Sequence, residues 1–199
     1  MINNKLGDGS GAGERAVISS QNWVTAQSAE NPWQTKLIAA SLRNQSQLEL
    51  LAGTDVFTMP PKVAAAGHKE LSGKFISRLH ENYDVSLYDS AKDAHIEKFW
   101  EVDNKVIKLA ERLSKKLPSS GSELVHIAHD EGCEDMFPFL TKEEKAFISS
   151  DGKIPLHSRW AAKIIEGKIA PDTLLTLAGL ASFTADQQAL DQRIKGIIE

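Results

Sequence analysis

Apolar residues run along this chain in two rhythms. Between Thr35 and Met59 they come as short unbroken stretches, TKLIAAS (Thr35 to Ser41) and DVFTM (Asp55 to Met59). Runs of that kind read as strands of a parallel sheet, buried on both faces. Between them Asn44 is placed to N-cap a helix, and Gln47 completes a capping-box-like pair ahead of Leu48, Leu50 and Leu51, with Gly53 as the stop. Pro60 and Pro61 hold the backbone extended before a helix whose first turn tolerates proline. Strand, short helix, strand and helix within about thirty residues make a βαβα unit.

The second rhythm is helical. Leu71, Phe75, Ile76 and Leu79 share one face of a helix predicted over 71–82. Phe99, Val102, Val106, Leu109, Leu113 and Leu117, at three-and-four spacing, predict another from about Ser90 to Leu117, where Pro118 breaks the chain. Shorter helices are expected over 123–130, 141–149 and 157–166, the middle one opened by Thr141 with Glu144 in a capping-box pattern. A pair of helices is expected over 171–198, with Thr184 and Gln187 marking a start inside it and Phe183, Leu190, Ile194 and Ile197 packed inward. Upstream, AVISSQNWVTAQ fits strand or helix, and Gly7, Gly9, Gly11 and Gly13 predict a flexible lead-in. The expected organisation is therefore a lead-in and irregular segment over 1–34, the strand-bearing unit over 35–83, and a helical region over 84–199. No internal repeat is visible.

Composition narrows the function classes. The 199 residues are 41% apolar, enough for one substantial domain or two small ones. A net charge of −4 with interspersed signs leaves no electrostatic footprint for nucleic acid or an anionic membrane, so any phosphate must be gripped locally. The one cysteine, Cys133, cannot form an internal disulfide, and no apolar run approaches the roughly 20 residues of a membrane span. The N-terminal stretch has no apolar core of a secretory signal. Together these predict a soluble protein of the cytoplasm.

The chemistry-bearing pair is Ser41 and Arg43, two residues apart where the first strand gives way to a helix. A planar guanidinium fork, a hydroxyl and the unpaired N–H groups of a helix start make an anion cradle. The plainer reading is that Ser41 and Asn44 cap the helix while Arg43 is a solvated charge. HIAHDEGCED sets His126 and His129 one turn apart near Asp130, Glu131, Cys133 and Glu134, but at no spacing of a structural zinc site, so no metal is assigned. Lys62 reads as a solvated helix-start lysine and Lys36 as lying at the wrong end of its strand; no nucleophile is assigned. Trp100 and Trp160 read as core, and MFPFL (Met136 to Leu140) as a packing anchor.

The segment TKLIAASLRNQSQLELLAGTDVFTMPPKVAA resembles the seventh and eighth βα units of the transaldolase family. The carriers are Ala40, Ser41, Leu42 and Arg43, then Leu51, Ala52, Gly53 and Asp55, then Thr58, Pro60 and Pro61; LASFTADQQALDQRI is similar to the family's closing helix. The resemblance implies an α/β fold, the C-terminal part of a (β/α)8 TIM barrel with two parallel strands, followed by a mostly α-helical C-terminal region. It also implies transfer of a dihydroxyacetone unit between sugar phosphates in the pentose phosphate pathway, through a lysine Schiff base, with no metal or organic cofactor. Ser41 and Arg43 would then bind the substrate phosphate.

The family's Schiff-base lysine and its assisting aspartate, glutamate and threonine have no counterpart, since only 34 residues precede Thr35 against roughly 250 for a whole barrel. The expectation is a fragment with no catalytic residue of its own, completed by self-association or by a missing barrel half. The alternatives are a non-catalytic helical scaffold or interaction protein derived from the barrel and, more distantly, an aldolase of the same fold.

Overall fold

The stretch that fits strand or helix equally well forms α1 (Ala12–Glu30), 19 residues long, in the computed structural model, which describes residues 6–30, 34–71 and 75–198. Of the lead-in and irregular segment expected over 1–34, residues 12–30 are thus helix. Its glycines make the entry turn: the Ala12 N–H donates to the Gly9 carbonyl and the Arg15 N–H to that of Gly11. Ile18 and Gln21 face inward on α1. The chain divides into two compact units, one spanning Gly7–Ser86 and one that includes Leu87–Glu199.

β1 (Gly7–Asp8) pairs with β4 (Ser86–Leu87); within the first unit, β2 (Ile38–Ala39) pairs in parallel with β3 (Val56–Phe57), in the register Ile38 to Val56 and Ala39 to Phe57. Between β2 and β3 lies α2 (Ser46–Leu50), and after β3 comes α3 (Pro61–Glu70), opened by proline in its first turn. Ile18, Ala39, Leu42, Leu48, Leu51 and Val63 form the core, so α1, α2 and α3 all close over one face of the strand pair. A reciprocal pair pins α1 to the strands: the Asp55 N–H donates to Gln21 Oε1 at 3.0 Å, and Gln21 Nε2 donates to Asp55 Oδ2 at 2.9 Å.

The βαβα order of the sequence is present, but the TIM-barrel portion is not. The described residues hold two sheets of two strands, each strand two residues long. A barrel strand is buried on both faces; here Ala39 is buried while Ile38 and Val56 stand 58% and 42% exposed on the other side. The strands therefore serve as a one-sided platform for helices.

The helix expected over 71–82 does not form. Residues 72–74 lie outside the described residues, and from Phe75 on the backbone is committed elsewhere: the Arg78 N–H donates to the Ala52 carbonyl at 2.7 Å, Asn22 Nδ2 to the Leu79 carbonyl at 2.7 Å, and the Tyr83 hydroxyl to the Leu50 carbonyl at 2.6 Å. An intrahelical ladder would have to give up the Arg78 bond.

The second unit is helical. In place of one helix over 90–117 it has two short 3-10 helices, Asp89–Ala94 and Ile96–Phe99, separated by His95 in the left-handed region at φ 50°, then α4 (Asn104–Lys115). There follow α5 (Gly121–Asp130), α6 (Lys142–Asp151), α7 (His157–Ile165) and α8 (Pro171–Ile198). The Thr141–Glu144 capping box forms as its pattern predicts. Leu109, Ala128 and Cys133 make one small core, and Ile148, Trp160, Ile164, Ile169, Leu174 and Ala178 a larger one.

The last element is one helix of 28 residues, not a pair. Thr184 Oγ1 donates back to the Leu180 carbonyl at 2.9 Å, which places it inside a helix rather than at a start. Phe183, Leu190, Ile194 and Ile197, expected to pack inward, are exposed. Among the described residues no helix is long and apolar enough to cross a membrane.

Candidate functional site

Ser41 and Arg43 follow β2 directly, and both are exposed, while Leu42 between them is buried in the core. The alternation fixes Leu42 inward and leaves its neighbours outward. Ser41 holds φ at 61°, the left-handed region that non-glycine residues enter at a cost of about 1–2 kcal/mol. Its hydroxyl caps nothing among the described residues. Asn44 does the capping: its Oδ1 accepts from the Gln47 N–H at 3.2 Å and from the Ser46 hydroxyl at 2.6 Å. The other half of the capping-box-like pair is displaced by one residue, with Gln47 Oε1 accepting from the Arg43 N–H at 2.7 Å.

That bond orders the Arg43 backbone and leaves its guanidinium without a partner among the described residues. The expected contribution of a helix start is corrected, because α2 has only five residues and its first N–H groups are taken by Asn44 and Gln45. The site reduces to two side chains on an ordered turn.

Of the two lysines considered as nucleophiles, Lys36 lies at the opposite end of the strand pair from Ser41 and Arg43. Lys36 pairs with Asp55 at 3.4 Å at the start of β2. Asp55 also accepts from Gln21 and from the Leu37 N–H, hydrogen bonds that, with Lys36, hold its carboxyl below the usual carboxylate range. A cavity of about 260 Å3 opens there, lined by Thr25, Ser28, Gln34, Thr35, Lys36 and Asp55, at the strand end away from Ser41 and Arg43. Lys62 is exposed in the first turn of α3.

A second group of charged residues lies in the helical unit. Asp135, with its side chain 9% exposed, accepts from Lys105 at 2.8 Å and pairs with Lys98 at 3.3 Å; Lys98 also pairs with Asp103. They wall a cavity of about 350 Å3 together with His95, Glu101 and Ile169. Burial pushes the Asp135 carboxyl up, but the hydrogen bond and charge of Lys105, then Lys98, outweigh it and hold it below its ordinary value. For Lys98 burial acts downward, and the bond to Asp103 and the charges of both carboxylates overrule it, so the ammonium is held protonated. Sequence reasoning passed over this group, because Asp135 lies 30 residues or more beyond Lys98, Asp103 and Lys105 along the chain and joins them only through packing.

The HIAHDEGCED residues point to separate partners. His129 Nε2 lies 2.9 Å from the Phe137 carbonyl oxygen, and His126 and His129 flank the Phe139 ring with centroids at 5.4 and 4.2 Å. Glu131 takes Arg112 at 2.7 Å, and Cys133 is fully buried with its thiol pushed up, first by burial. Among the described residues no group of three or more histidine, cysteine, aspartate or glutamate side chains could hold a metal ion. Trp160 is core, whereas Trp100 is half-buried. Phe137 packs against the Leu109 cluster as an anchor, and Phe139 stays 56% exposed. No protein-family model, no characterised protein and no solved structure matches the chain.

Proposed function

We propose that the β2–α2–β3–α3 unit grips the phosphate of a sugar phosphate, with Ser41 and Arg43 as donors, in a transaldolase-type transfer of a dihydroxyacetone unit. The observation that carries this reading is the pairing of strain with availability. Ser41 is held at φ 61° directly after a parallel strand, and its hydroxyl and the Arg43 guanidinium are both exposed and without partners among the described residues. Backbone strain is retained where surrounding structure over-determines it, and such positions cluster at binding sites. Arg43 supplies the planar fork that suits phosphate oxygens, and the Gln47 bond to its N–H limits how far the turn can wander. The motif resemblance at Ala40 to Arg43 supports the same assignment. No residue of this chain is assigned the Schiff-base step.

The test is arginine modification by a dicarbonyl reagent, with the modified peptide identified by mass spectrometry. Inorganic phosphate and fructose 6-phosphate are each expected to slow modification at Arg43, and Arg43→Ala to weaken fructose 6-phosphate binding by about tenfold or more. Arg43→Lys should recover part of that loss, since it keeps the charge but not the fork. Modification of Arg43 at one rate with and without both anions would sink the phosphate reading and favour a non-catalytic scaffold.

A further inference from the structure

The C-terminal half of α8 is left uncovered by the described residues. Every described residue from Phe183 to Ile198 is exposed, and the apolar ones are not scattered. Leu180, Phe183, Leu190, Ile194 and Ile197 stand 57%, 65%, 51%, 45% and 76% exposed, and with Gln187 they fall at spacings of three, four, three, four and three. That is the a/d repeat of a coiled coil sustained over about 27 Å of helix, with Gln187 the one polar residue in the seam. The Lys153 ammonium lies 5.7 Å from the Phe183 ring centroid. An apolar seam of this regularity, on a stretch of helix whose residues are all exposed, calls for a second helix.

We infer that this seam is the interface for a second copy of the chain, the two α8 helices pairing antiparallel. The charges beside the seam select both partner and direction. With Leu180, Gln187 and Ile194 as a positions, Asp186 and Arg193 are g positions, and Thr184 and Asp191 are e positions. In an antiparallel pair with layers of Leu180 on the partner's Ile197, Phe183 on the partner's Ile194 and Gln187 on the partner's Leu190, g residues face g residues. Asp186 then meets the partner's Arg193, and by two-fold symmetry Arg193 meets the partner's Asp186. Asp191 meets the partner's Thr184, which is neutral.

A parallel pair would place Asp186 against the partner's Asp191, twice, like charge on like charge. Gln187 fits the antiparallel arrangement as well: its Nε2 already donates to Asp191 Oδ1 on its own helix at 2.8 Å, so the amide enters the layer with a donor satisfied. The seam is short, and the association it supports is concentration-dependent.

Sedimentation equilibrium is the test. The mass of the whole chain is expected to rise from one copy toward two with concentration. Asp186→Lys and Arg193→Asp should each raise the dissociation constant, on the order of tenfold, and the double exchange should restore it. Oxidising a mixture of the Gln187→Cys and Leu190→Cys variants should give the mixed disulfide dimer, the native Cys133 being buried. A single-copy mass at every concentration would overturn the proposal. So would tighter association of Asp186→Lys, or preferential crosslinking of Gln187→Cys to itself, both marks of a parallel pair. If Ile194→Asp lowers the melting temperature of a chain that is always one copy, the seam is covered by the chain itself, which equally overturns it.

Discussion

Asp135 and Asp172 lie close together in the helical unit and pull its pH dependence in opposite directions. Asp135 is paired with Lys98 and Lys105 and titrates below an ordinary carboxylate. Its contribution is therefore fully present above the ordinary value near pH 4 and is lost as the pH falls through the depressed one. Asp172 is the reverse case. Burial raises its carboxyl, the charge of Asp135 adds to that, and its Oδ1 is buried with no hydrogen-bond partner. The ionised form is thus disfavoured by the fold, and the penalty is relieved as the pH falls through the raised value. Asp135→Asn is expected to cost about 2 kcal/mol at pH 7, because it leaves two ammonium groups facing a neutral amide. Asp172→Asn is expected to gain up to about 1 kcal/mol. Denaturant titrations followed by the fluorescence of buried Trp160 would check both; equal losses from the two variants would refute the assignment of opposite signs.

Among the elements, the turn after α2 is the most tightly specified. Gly53 holds φ at 103°, and a Cβ placed there would lie 2.6 Å from Ser77 Oγ and 2.9 Å from Leu79 Cγ. Gly53→Ala therefore combines a disallowed backbone with a clash against the segment strapped over α2, and should cost about 2–3 kcal/mol. The control is Gly132→Ala, which has φ 72° but nothing within 4 Å of the added carbon, and should cost less. The same contrast explains what was legible in the sequence. The start of α6 was, since its cap is local: Thr141 and Glu144 cap each other, whereas α5, expected from 123, begins at Gly121 after Ser120, which accepts from the Glu123 N–H. The stop at Gly53 and the positions of Ser41 and Arg43 after β2 were legible too, being set by residues a few places apart. Residues 75–82 were not, because the Arg78 N–H goes to Ala52, 26 residues back, a choice that no window of apolar periodicity contains. The inward face assigned to Phe183, Leu190, Ile194 and Ile197 failed for a related reason: periodicity reveals an apolar face but not what covers it.

At the scale of the whole molecule, the barrel implied by the motif resemblance gives way to two units with separate cores. Ile18, Ala39, Leu42, Leu48, Leu51 and Val63 belong to one, and Ile148, Trp160, Ile164, Ile169, Leu174 and Ala178 to the other, with no residue in common. Cores that share no residues need not open together, so the chain should exchange amide hydrogens as two bodies. Leu51 is 4% exposed at the centre of the first core, and Leu51→Ala should cost that unit about 3 kcal/mol in lost transfer energy and residual cavity. The change should speed exchange at the slowest amides of α1, α2 and α3 while leaving those of α7 and the first half of α8 at their former rates. Ile164→Ala should do the opposite. If either substitution instead accelerates the slowest amides of both units by one common factor, the chain unfolds as a single cooperative body. In that case the Ser41–Arg43 turn and the α8 seam would be coupled through global stability, and a variant at one site could not be interpreted without a stability measurement at the other.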